Sequence, residues 1–408
     1  MPGRLESMLF ALRSHKAIAC MIVLDVALTC AIACNATQVI ASRWRLLRQP
    51  TGVEDARLVV VRTTLLGDPE VRRFQRGRDL LALRALAGVE AVSEVGSMPY
   101  MDDLALSVSS NPPGRDGGNG MDVSVYFGTP GHLRVLGARL LAGRDFSDET
   151  YVPFSNGAGT AGAPAALVSE SVARRLYGHA PAIGRALYMD DGRVVTVVGV
   201  VADLLRPHPS LADADGNHDT IVLPMIPDGA SASYVLRTSL AADGDRVARQ
   251  AGLALDRLGG DRIIDAVQPF VELQREFLDK DRTQLGLLCL GLAGLLAVTL
   301  VGLSGLSSYW VRQRTRSIGI RRALGATRGD VLRHFLLENL LVVGLGALAG
   351  VGVALVVGRA VARDFAIPAL SPGPVLAAAM LVCALGQLAV LRAALAASRI
   401  PPRTAMGA

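Results

Sequence analysis

The chain has 408 residues, 51% of them hydrophobic and 19% charged, with a formal net charge of +6. Soluble domains usually carry about a quarter charged residues, whereas the apolar residues here gather in one N-terminal and three C-terminal stretches around a polar middle of about 240 residues. The composition therefore excludes a wholly soluble protein, and the polar middle excludes a carrier whose ten or twelve spans fill the chain.

The first predicted element is a membrane span over residues 17–41. This stretch is longer than the apolar core of a signal peptide and lacks a convincing cleavage site. It is therefore interpreted as an uncleaved helix, preceded by a cytoplasmic N-terminus of residues 1–16. Asp25 lies inside the span, and because a carboxylate is costly in lipid, its side chain is expected to face another helix or water.

The middle of the chain, residues 42–284, is expected to form a mixed α/β domain that ends in a helical stalk. β-Branched and alternating runs predict strands, and apolar periodicity predicts helices. Ser169 is a suitable N-cap, and Gly178 a suitable end, for one of these helices. The predicted strands are 57–63, 122–127 and 193–201, and the predicted helices are 79–87, 169–178, 245–258 and the stalk at 268–284.

Three further spans are predicted at residues 285–310, 335–358 and 374–391. A helix rises 1.5 Å per residue, so about 20 residues cross the roughly 30 Å of hydrocarbon in a bilayer. All four apolar stretches meet that length. The sequence therefore predicts one span before the polar middle and three spans after it.

The distribution of arginine predicts the orientation. Residues 311–334 hold seven arginines and one aspartate, which places this connection in the cytoplasm, because short cytoplasmic loops are enriched in positive charge. Residues 359–373 then form a short periplasmic loop and residues 392–408 a cytoplasmic tail. Both termini are therefore expected in the cytoplasm and residues 42–284 in the periplasm. Three arginines that follow the first span oppose this orientation: Arg43, Arg45 and Arg48.

The positions of the basic residues and cysteines argue against several kinds of binding site and against disulfides. The only lysines are Lys16 and Lys280, and neither precedes Ser or Thr as the lysine of a phosphate-binding Walker motif does. The arginines concentrate beside the apolar stretches, so they indicate membrane topology rather than nucleic acid binding. All cysteines lie in apolar stretches without a Cys-x-x-Cys pair, which indicates packing residues rather than disulfides or zinc ligands. They are Cys20, Cys30, Cys34, Cys289 and Cys383.

Two patterns in the polar middle imitate ligand sites. Gly157–Gly162 matches the dinucleotide pattern G-x-G-x-x-G, but a predicted loop precedes it and a predicted strand follows, which is the wrong context. His208–Asp219 gathers two histidines and three aspartates, yet it lacks the later ligands and closing glutamate of a calcium loop, so a solvated hairpin loop is expected. We predict no catalytic, cofactor-binding or metal-binding residue in this chain.

The most informative segment is Arg316–Leu337, which reads RSIGIRRALGATRGDVLRHFLL. An apolar stripe alternates with arginines, and Gly325 and Gly329 bracket a break between two short helices. One interpretation is a basic helix lying on anionic lipid. The other is a docking element for a cytoplasmic partner. The stripe consists of Ile318, Ile320, Ala323, Leu324, Val331, Leu332, Phe335 and Leu336.

This segment resembles the cytoplasmic loop of FtsX-like and MacB-type ABC transporter permeases, whose pattern reads roughly Arg-x-x-Glu-Ile-Gly-Ile-Arg-Arg-Ala-Leu-Gly-Ala. The matching residues are Arg314, Ile318, Gly319, Ile320, Arg321, Arg322, Ala323, Leu324, Gly325 and Ala326. The resemblance covers nearly the whole chain. Its other matching stretches are 136–146 (LG and LAGRDF), 169–178 (SESVARRLYG), 183–184 (IG), 197–201 (VVGVV) and the tail 398–403 (SRIPPR).

The resemblance implies a membrane protein of four transmembrane α-helices, one before and three after a large mixed α/β extracytoplasmic domain. It implies the permease subunit of an ABC transporter in a bacterial inner membrane. Such a subunit is not an enzyme, and it couples ATP hydrolysis by a separate ATPase to motion of the periplasmic domain, for export or efflux by mechanotransmission. A non-transport regulator of cell-wall hydrolases and a lipoprotein-releasing permease are the alternative functions.

The partners implied are a cytoplasmic ABC ATPase, which binds the ATP, and a second permease copy or paralogue. A periplasmic adaptor, an outer-membrane channel and membrane lipid are further expected partners; nucleic acid is not. The resemblance assigns contact with the ATPase to the coupling segment, which consists of Ser317, Ile318, Gly319, Ile320, Arg321, Arg322, Ala323, Leu324, Gly325 and Ala326. Ser317 replaces the family's glutamate, which implies weaker coupling or a heterodimer whose other permease keeps the glutamate.

Overall fold

The computed structural model describes residues 16–112, 120–154, 162–190, 192–211, 213–313, 327–365 and 371–398. The chain divides into a membrane unit, Met1–Leu47 with Asp281–Ala408, and an outer unit, Arg48–Lys280. In chain order the helices are α1 (Lys16–Leu47), α2 (Pro69–Arg84), α3 (His132–Leu136), α4 (Glu170–Tyr177), α5 (Gly244–Leu258), α6 (Phe270–Gln313), α7 (Arg328–Phe365) and α8 (Pro372–Ser398).

Four of these helices, α1, α6, α7 and α8, have apolar stretches long enough to cross a membrane. The fold-class prediction is therefore confirmed: one such helix precedes the outer unit and three follow it. Each helix extends beyond the apolar residues of its predicted span. The reason is that hydropathy marks only the part suited to lipid, whereas backbone hydrogen bonds continue the helix into polar sequence.

Helix α7 packs closely on α1 because two of its glycines have no side chain. A Cβ atom on Gly346 would lie 2.8 Å from the Cβ of Val26, and one on Gly350 would lie 2.5 Å from the carbonyl oxygen of Ala27. Both distances are shorter than any real contact, so a larger residue at either glycine would push the helices apart. Cys30 is fully buried at this contact, and Cys34 is fully buried against α8, in keeping with a packing role.

The first sheet of the outer unit is antiparallel and has the strand order β13-β1-β12-β2. Helices α2 and α5 cover it, and their apolar faces meet the residues of β1 and β12 that alternate inward. Val59, Tyr234 and Leu255 are fully buried between these layers. The strands are β1 (Leu58–Leu65), β2 (Val89–Val95), β12 (Ser231–Thr238) and β13 (Arg262–Pro269).

The second sheet has the order β5-β9-β7-β10-β4-β3-β8, and β8 also pairs with β9, which closes six of its strands into a ring. Val125, Val168 and Val197 are fully buried in its core. The strands are β3 (Ala105–Ser109), β4 (Met121–Tyr126), β5 (Leu140–Gly143), β7 (Ala165–Ser169), β8 (Ala186–Met189), β9 (Val194–Val201) and β10 (Thr220–Val222), and a separate parallel pair is β6 (Val152–Phe154) with β11 (Met225–Pro227).

Most of the elements that the sequence predicted in the outer unit have counterparts in the structure. The predicted strands correspond to β1, β4 and β9, and the Ser169 hydroxyl accepts a hydrogen bond from the Val172 backbone N–H at 3.2 Å, as an N-cap does. The helix predicted at 79–87 is wrong in extent, because α2 begins at Pro69 and ends at Arg84. Its first turns are rich in arginine and show little apolar periodicity, whereas proline at the first helical position favours this start.

The prediction of a solvated loop at His208–Asp219 is wrong in part. Asn217 and Asp219 are buried. The Asn217 side chain donates hydrogen bonds to the Ser210 carbonyl at 3.0 Å and to the Gln49 side chain at 3.1 Å. The polar residues of this loop therefore hold the loop in place, which their composition does not distinguish from solvation.

Candidate coupling site

All ten residues of the coupling segment, from Ser317 to Ala326, lie outside the described residues. The structure describes the helices on either side of the segment. Helix α6 ends at Gln313 and α7 begins at Arg328. Along the chain, the coupling segment therefore lies between two membrane helices whose ends the structure describes.

A capping box fixes the beginning of α7, immediately after the coupling segment. The Thr327 hydroxyl oxygen accepts a hydrogen bond from the Asp330 N–H at 3.2 Å, and the Asp330 carboxylate accepts one from the Thr327 N–H at 3.1 Å. These reciprocal bonds satisfy two backbone donors that a helix start leaves free. The prediction of the site did not include this pair, although Thr-x-x-Asp before an apolar run is the sequence signal for it.

A shallow apolar groove lies next to this cap within the membrane unit. Its cavity volume is about 380 Å³, and most of its lining comes from the first turns of α7. Two residues of the predicted apolar stripe, Leu332 and Leu336, line the groove, whereas Phe335 of the same stripe is buried. The lining residues are Gly329, Leu332, Arg333, Leu336, Leu337, Leu340 and, from α8, Gln387.

Polar side chains connect the membrane helices to one another. The Thr29 and Thr299 hydroxyls are 2.9 Å apart, which links α1 to α6. The Asn339 side chain of α7 donates to the Gly386 carbonyl of α8 at 3.1 Å. Asp25 is half-buried on α1 and faces α6, because a Cβ atom on Gly302 would lie 4.0 Å from its Oδ2. Asp25 was expected to face another helix or water, and the structure shows the first of these.

Arg43 forms an ion pair with Asp281, and this contact ties the end of α1 to α6. Both side chains are largely shielded, with exposed fractions of 18% and 23%. The pair neutralises one of the three arginines that opposed the predicted orientation. Sequence reasoning missed it because 238 positions separate the two residues.

Exchanging these two charges tests whether the α1–α6 contact matters. Arg43→Asp alone places two carboxylates together, and we expect the free energy of unfolding of the full chain in detergent to fall by a few kcal/mol, because a shielded like-charge contact costs about that much. The double variant Arg43→Asp with Asp281→Arg restores the attraction and is expected to recover most of that stability. A double variant no better than the single one would contradict a role for this pair.

The outer unit buries a cluster of charged groups between α2 and the first sheet. Asp79 has no exposed surface; it accepts a hydrogen bond from the Tyr234 hydroxyl at 3.0 Å and is ion-paired with Arg262. Arg76 donates to the Glu94 carboxylate at 2.8 Å. Buried charges of this kind are tolerated only when they are paired. The cluster therefore fixes the position of α2 on the sheet.

Glu94 of this cluster and the buried His132 have strongly shifted pKa values. Burial raises the pKa of the Glu94 carboxyl to about 7, although the Arg76 guanidinium lowers it. Burial lowers the pKa of His132 to about 4, since its imidazole has no exposed surface. The fold therefore favours a protonated Glu94 and a neutral His132, and both preferences come from desolvation of the charged form.

These shifts act in opposite directions on stability. His132 has an ordinary pKa of 6.5, so only the unfolded chain takes up its proton between pH 6.5 and 4, and stability falls as the pH is lowered. Glu94 has an ordinary pKa of 4.5, so only the unfolded chain loses its proton between pH 4.5 and 7, and stability falls as the pH is raised. Each effect totals about 3 kcal/mol, and in the wild type they offset each other.

Glu94→Gln is expected to reveal the histidine effect. Relative to wild type, its free energy of unfolding should fall by about 3 kcal/mol between pH 6.5 and 4, measured by urea unfolding of the full chain in detergent with far-UV circular dichroism. Glu149→Gln, at an exposed position of the outer unit, serves as the matched control. Parallel pH profiles for Glu94→Gln and wild type would contradict the assignment.

Two family models match the chain. The model of the FtsX-like permease C-terminal region matches residues 290–402, and the model of the MacB-like periplasmic core domain matches residues 31–252. The second match covers more than half of the chain. The chain belongs to the MacB/FtsX family of ABC transporter permeases. The resemblance drawn from the sequence motifs is thus confirmed, and this permease is a multi-pass protein of the bacterial inner membrane.

Curated relatives agree with this family. The permease is 24% identical to the uncharacterized ABC transporter permease YknZ of Bacillus subtilis, over 66% of this chain and 64% of that protein. It is 29% identical to the pyoverdine export ATP-binding/permease protein PvdT of Pseudomonas aeruginosa, over 59% and 37%. It is 27% identical to the macrolide export ATP-binding/permease protein MacB of Shewanella sp. (strain ANA-3), over 70% and 42%. The permease thus spans less than two thirds of each of these relatives.

Solved structures of outer domains are also similar. The extracellular domain of the noncanonic ABC-type transporter YknZ from Gram-positive bacteria is 14% identical, with a TM-score of 0.31 over 51% of this chain and 100% of that one. The periplasmic region of MacB from Actinobacillus actinomycetemcomitans is 12% identical, with a TM-score of 0.34 over 57% and 97%.

In the part of the permease that the structure describes, no three His, Cys, Asp or Glu residues form a group suited to a metal ion.

Proposed function

We propose that this permease couples ATP hydrolysis by a cytoplasmic ABC ATPase to movement of its outer unit, and that the movement serves export or efflux. The observation that carries the proposal is the continuity of α6. This single helix of 44 residues contributes its first turns, from Phe270, to the outer unit and ends at Gln313, beside the coupling segment. A helix transmits displacement along its axis because its backbone hydrogen bonds resist stretching.

The coupling segment is the proposed ATPase contact. It matches the family pattern at every position except Ser317, and helices lie on both of its sides. The capping box at Thr327 stabilises the first turn of α7. A displacement of the coupling segment is therefore passed to α7 and does not unwind that turn. In this proposal both termini and the coupling segment lie in the cytoplasm, as the arginine distribution indicates.

A second permease copy or paralogue is the proposed membrane partner. The apolar stretch of α6 is almost entirely exposed within one chain, unlike those of the other membrane helices. Its exposed stripe has spacings of three and four residues and includes Gly294, which has open space around it, a pattern that permits close packing of a second helix. The stripe consists of Leu287, Leu290, Gly294, Val298 and Val301.

The names of the relatives suggest where ATP is bound and which further components take part. The names of PvdT and MacB combine export with ATP-binding and permease functions, whereas neither lysine of this permease belongs to a Walker motif. We propose that an ABC ATPase, and not the residues of this sequence, binds and hydrolyses ATP. A periplasmic adaptor and an outer-membrane channel complete the efflux assembly that we propose, and no cofactor is assigned to the permease itself.

Affinity purification of the full chain in mild detergent, followed by mass spectrometry and ATP hydrolysis assays, tests the proposal. We expect co-purification of an ABC ATPase and a complex with two permease chains whose hydrolysis exceeds that of the ATPase alone. A second, distinct permease carrying the family glutamate would identify the heterodimer implied by Ser317. A permease that purifies without any ATPase from a native membrane, and that leaves the hydrolysis of the purified ATPase unchanged, would overturn the proposal.

A further inference from the structure

A strained turn lies between the two sheets of the outer unit. The Met101 N–H donates to the Met98 carbonyl at 3.2 Å, which closes a four-residue turn with Pro99 second and Tyr100 third. Tyr100 has φ +66° and is the only residue other than glycine with positive φ in the described part of the chain. Proline followed by positive φ defines a type II turn, whose third position normally requires glycine. A buried tyrosine there is strained.

An aromatic clamp holds this tyrosine in its strained conformation. The clamp consists of Tyr100 and two residues of α6, with ring centroids 6.0 Å apart for Phe270 and 5.1 Å apart for Phe277. Between these two phenylalanines on the same helix face, the Gln274 side chain donates to the Tyr100 hydroxyl at 3.3 Å. Tyr100 is only 4% exposed and Phe270 is fully buried. The first two helical turns of α6 thus hold the Tyr100 side chain in place.

The backbone of the turn is connected to the ring of strands. The Tyr100 N–H donates to the Pro207 carbonyl at 3.0 Å, and the loop around Pro207 follows β9. The fully buried Tyr126 of β4 donates its hydroxyl hydrogen to the neighbouring Leu205 carbonyl. His208 of the same loop stacks on Phe277, with ring centroids 5.6 Å apart. The turn therefore contacts α6 through its side chain and the second sheet through its backbone.

We propose that Tyr100 is the positioning residue that passes a displacement of α6 into the outer unit. The aromatic clamp compensates the strain of the type II turn while Phe270 and Phe277 remain in contact. When α6 shifts, the ring loses these contacts and the peptide between Pro99 and Tyr100 flips. The turn becomes type I, in which the third residue has the unstrained φ near −90°.

The consequence of the flip is release of the loop around Pro207. The Tyr100 N–H reverses its direction with the peptide, so its hydrogen bond to the Pro207 carbonyl breaks and the second sheet is free to move. Two packed arrangements of one turn provide the discrete states that a coupling element needs. This inference rests on the proposed function, because ATP-driven displacement of α6 is what operates the clamp.

Pulsed electron spin resonance on the full chain with its ATPase tests the proposal. Spin labels are attached at Arg275 of α6 and Val194 of β9, both exposed, after the native cysteines are replaced by serine or alanine. In the wild-type background we expect the inter-label distance to shift by about 5 Å, one helical turn, between the nucleotide-free and ATP–vanadate states. Tyr100→Ala is expected to lose the shift and retain ATP hydrolysis.

Three further variants separate positioning from a structural role. Tyr100→Phe keeps the ring and is expected to keep the shift, whereas Phe277→Leu removes the clamp from the helix side and is expected to lose it. Tyr188→Ala, a tyrosine of β8, is the matched control and is expected to behave as wild type. Far-UV circular dichroism spectra that equal the wild-type spectrum show that the variants are folded.

The outcomes distinguish the two proposals. A wild-type shift that persists in Tyr100→Ala and Phe277→Leu would overturn the role of Tyr100 and leave the proposed function intact. A wild-type complex that hydrolyses ATP without any shift would overturn the transmission itself, and the role of Tyr100 with it. Loss of the shift in Tyr100→Ala, with recovery in Tyr100→Phe, supports the clamp.

Discussion

Reversing the charges of Arg321 and Arg322 together, with Arg321→Glu and Arg322→Glu, is expected to abolish stimulation of the partner ATPase by this permease. Truncating one side of a buried charge contact costs about 2–5 kcal/mol, and reversal costs at least as much. The stimulated rate should therefore fall roughly 30-fold or more, toward the rate of the ATPase alone. ATP hydrolysis is measured for the complex reconstituted in lipid nanodiscs.

The control for this experiment reverses two other arginines on the same predicted side of the membrane, Arg399→Glu and Arg403→Glu in the tail. It removes the same number of positive charges, and we expect it to leave stimulation within about twofold of wild type, because the tail is not part of the proposed ATPase contact. Cysteine accessibility on both sides of the membrane verifies insertion. Full stimulation by the Arg321 and Arg322 variant, correctly inserted, would rule out the coupling segment as the ATPase contact.

Arg262→Met is expected to destabilise the outer unit by about 3–5 kcal/mol, because it leaves the fully buried Asp79 carboxylate without its ion-pair partner. The remaining hydrogen bond from Tyr234 is neutral and does not replace a guanidinium. The free energy of unfolding is measured by urea unfolding of the full chain in detergent, followed by far-UV circular dichroism.

Two further variants show whether that loss of stability comes from the buried ion pair. Arg73→Met removes an arginine of α2 that is 68% exposed and lies 3.4 Å from Asp228, and such surface pairs contribute about 0–1 kcal/mol. The triple variant Asp79→Leu, Tyr234→Phe, Arg262→Met replaces the whole buried group by apolar side chains and is expected to recover most of the stability. If Arg262→Met is no more harmful than Arg73→Met, the buried pair does not fix α2 on the sheet.

Strong local patterns account for the parts of the fold that the sequence predicted. Ser169 and Gly178 delimit α4 because capping and helix ends depend on residues three or four positions apart. The strand β9 was recognisable from its β-branched run. The start of α2 at Pro69 was missed because its stability comes from contacts with the sheet, through Asp79 and Arg76, rather than from apolar periodicity.

The coupling segment shows how far sequence reasoning reaches for the site. Its arginines and apolar stripe left a lipid-bound helix and a docking element as equal interpretations, and the family pattern around Ile318–Ala326 favoured docking. The capping box of Thr327 and Asp330 could have been predicted from the local pattern Thr-x-x-Asp before an apolar run. The pairing of Arg43 with Asp281 had none, because each residue alone resembles any charged residue beside a membrane span.

By itself the sequence determined four membrane helices, their order around a mixed α/β outer unit, and membership of the permease family. These properties depend on composition, local periodicity and short motifs, all of which act within a few residues along the chain. Only the tertiary structure decided that Arg262 neutralises Asp79 across 183 positions and that Phe270 and Phe277 hold Tyr100 in a glycine-like conformation. Such contacts depend on where distant backbones bring two side chains, and packing in three dimensions settles that position.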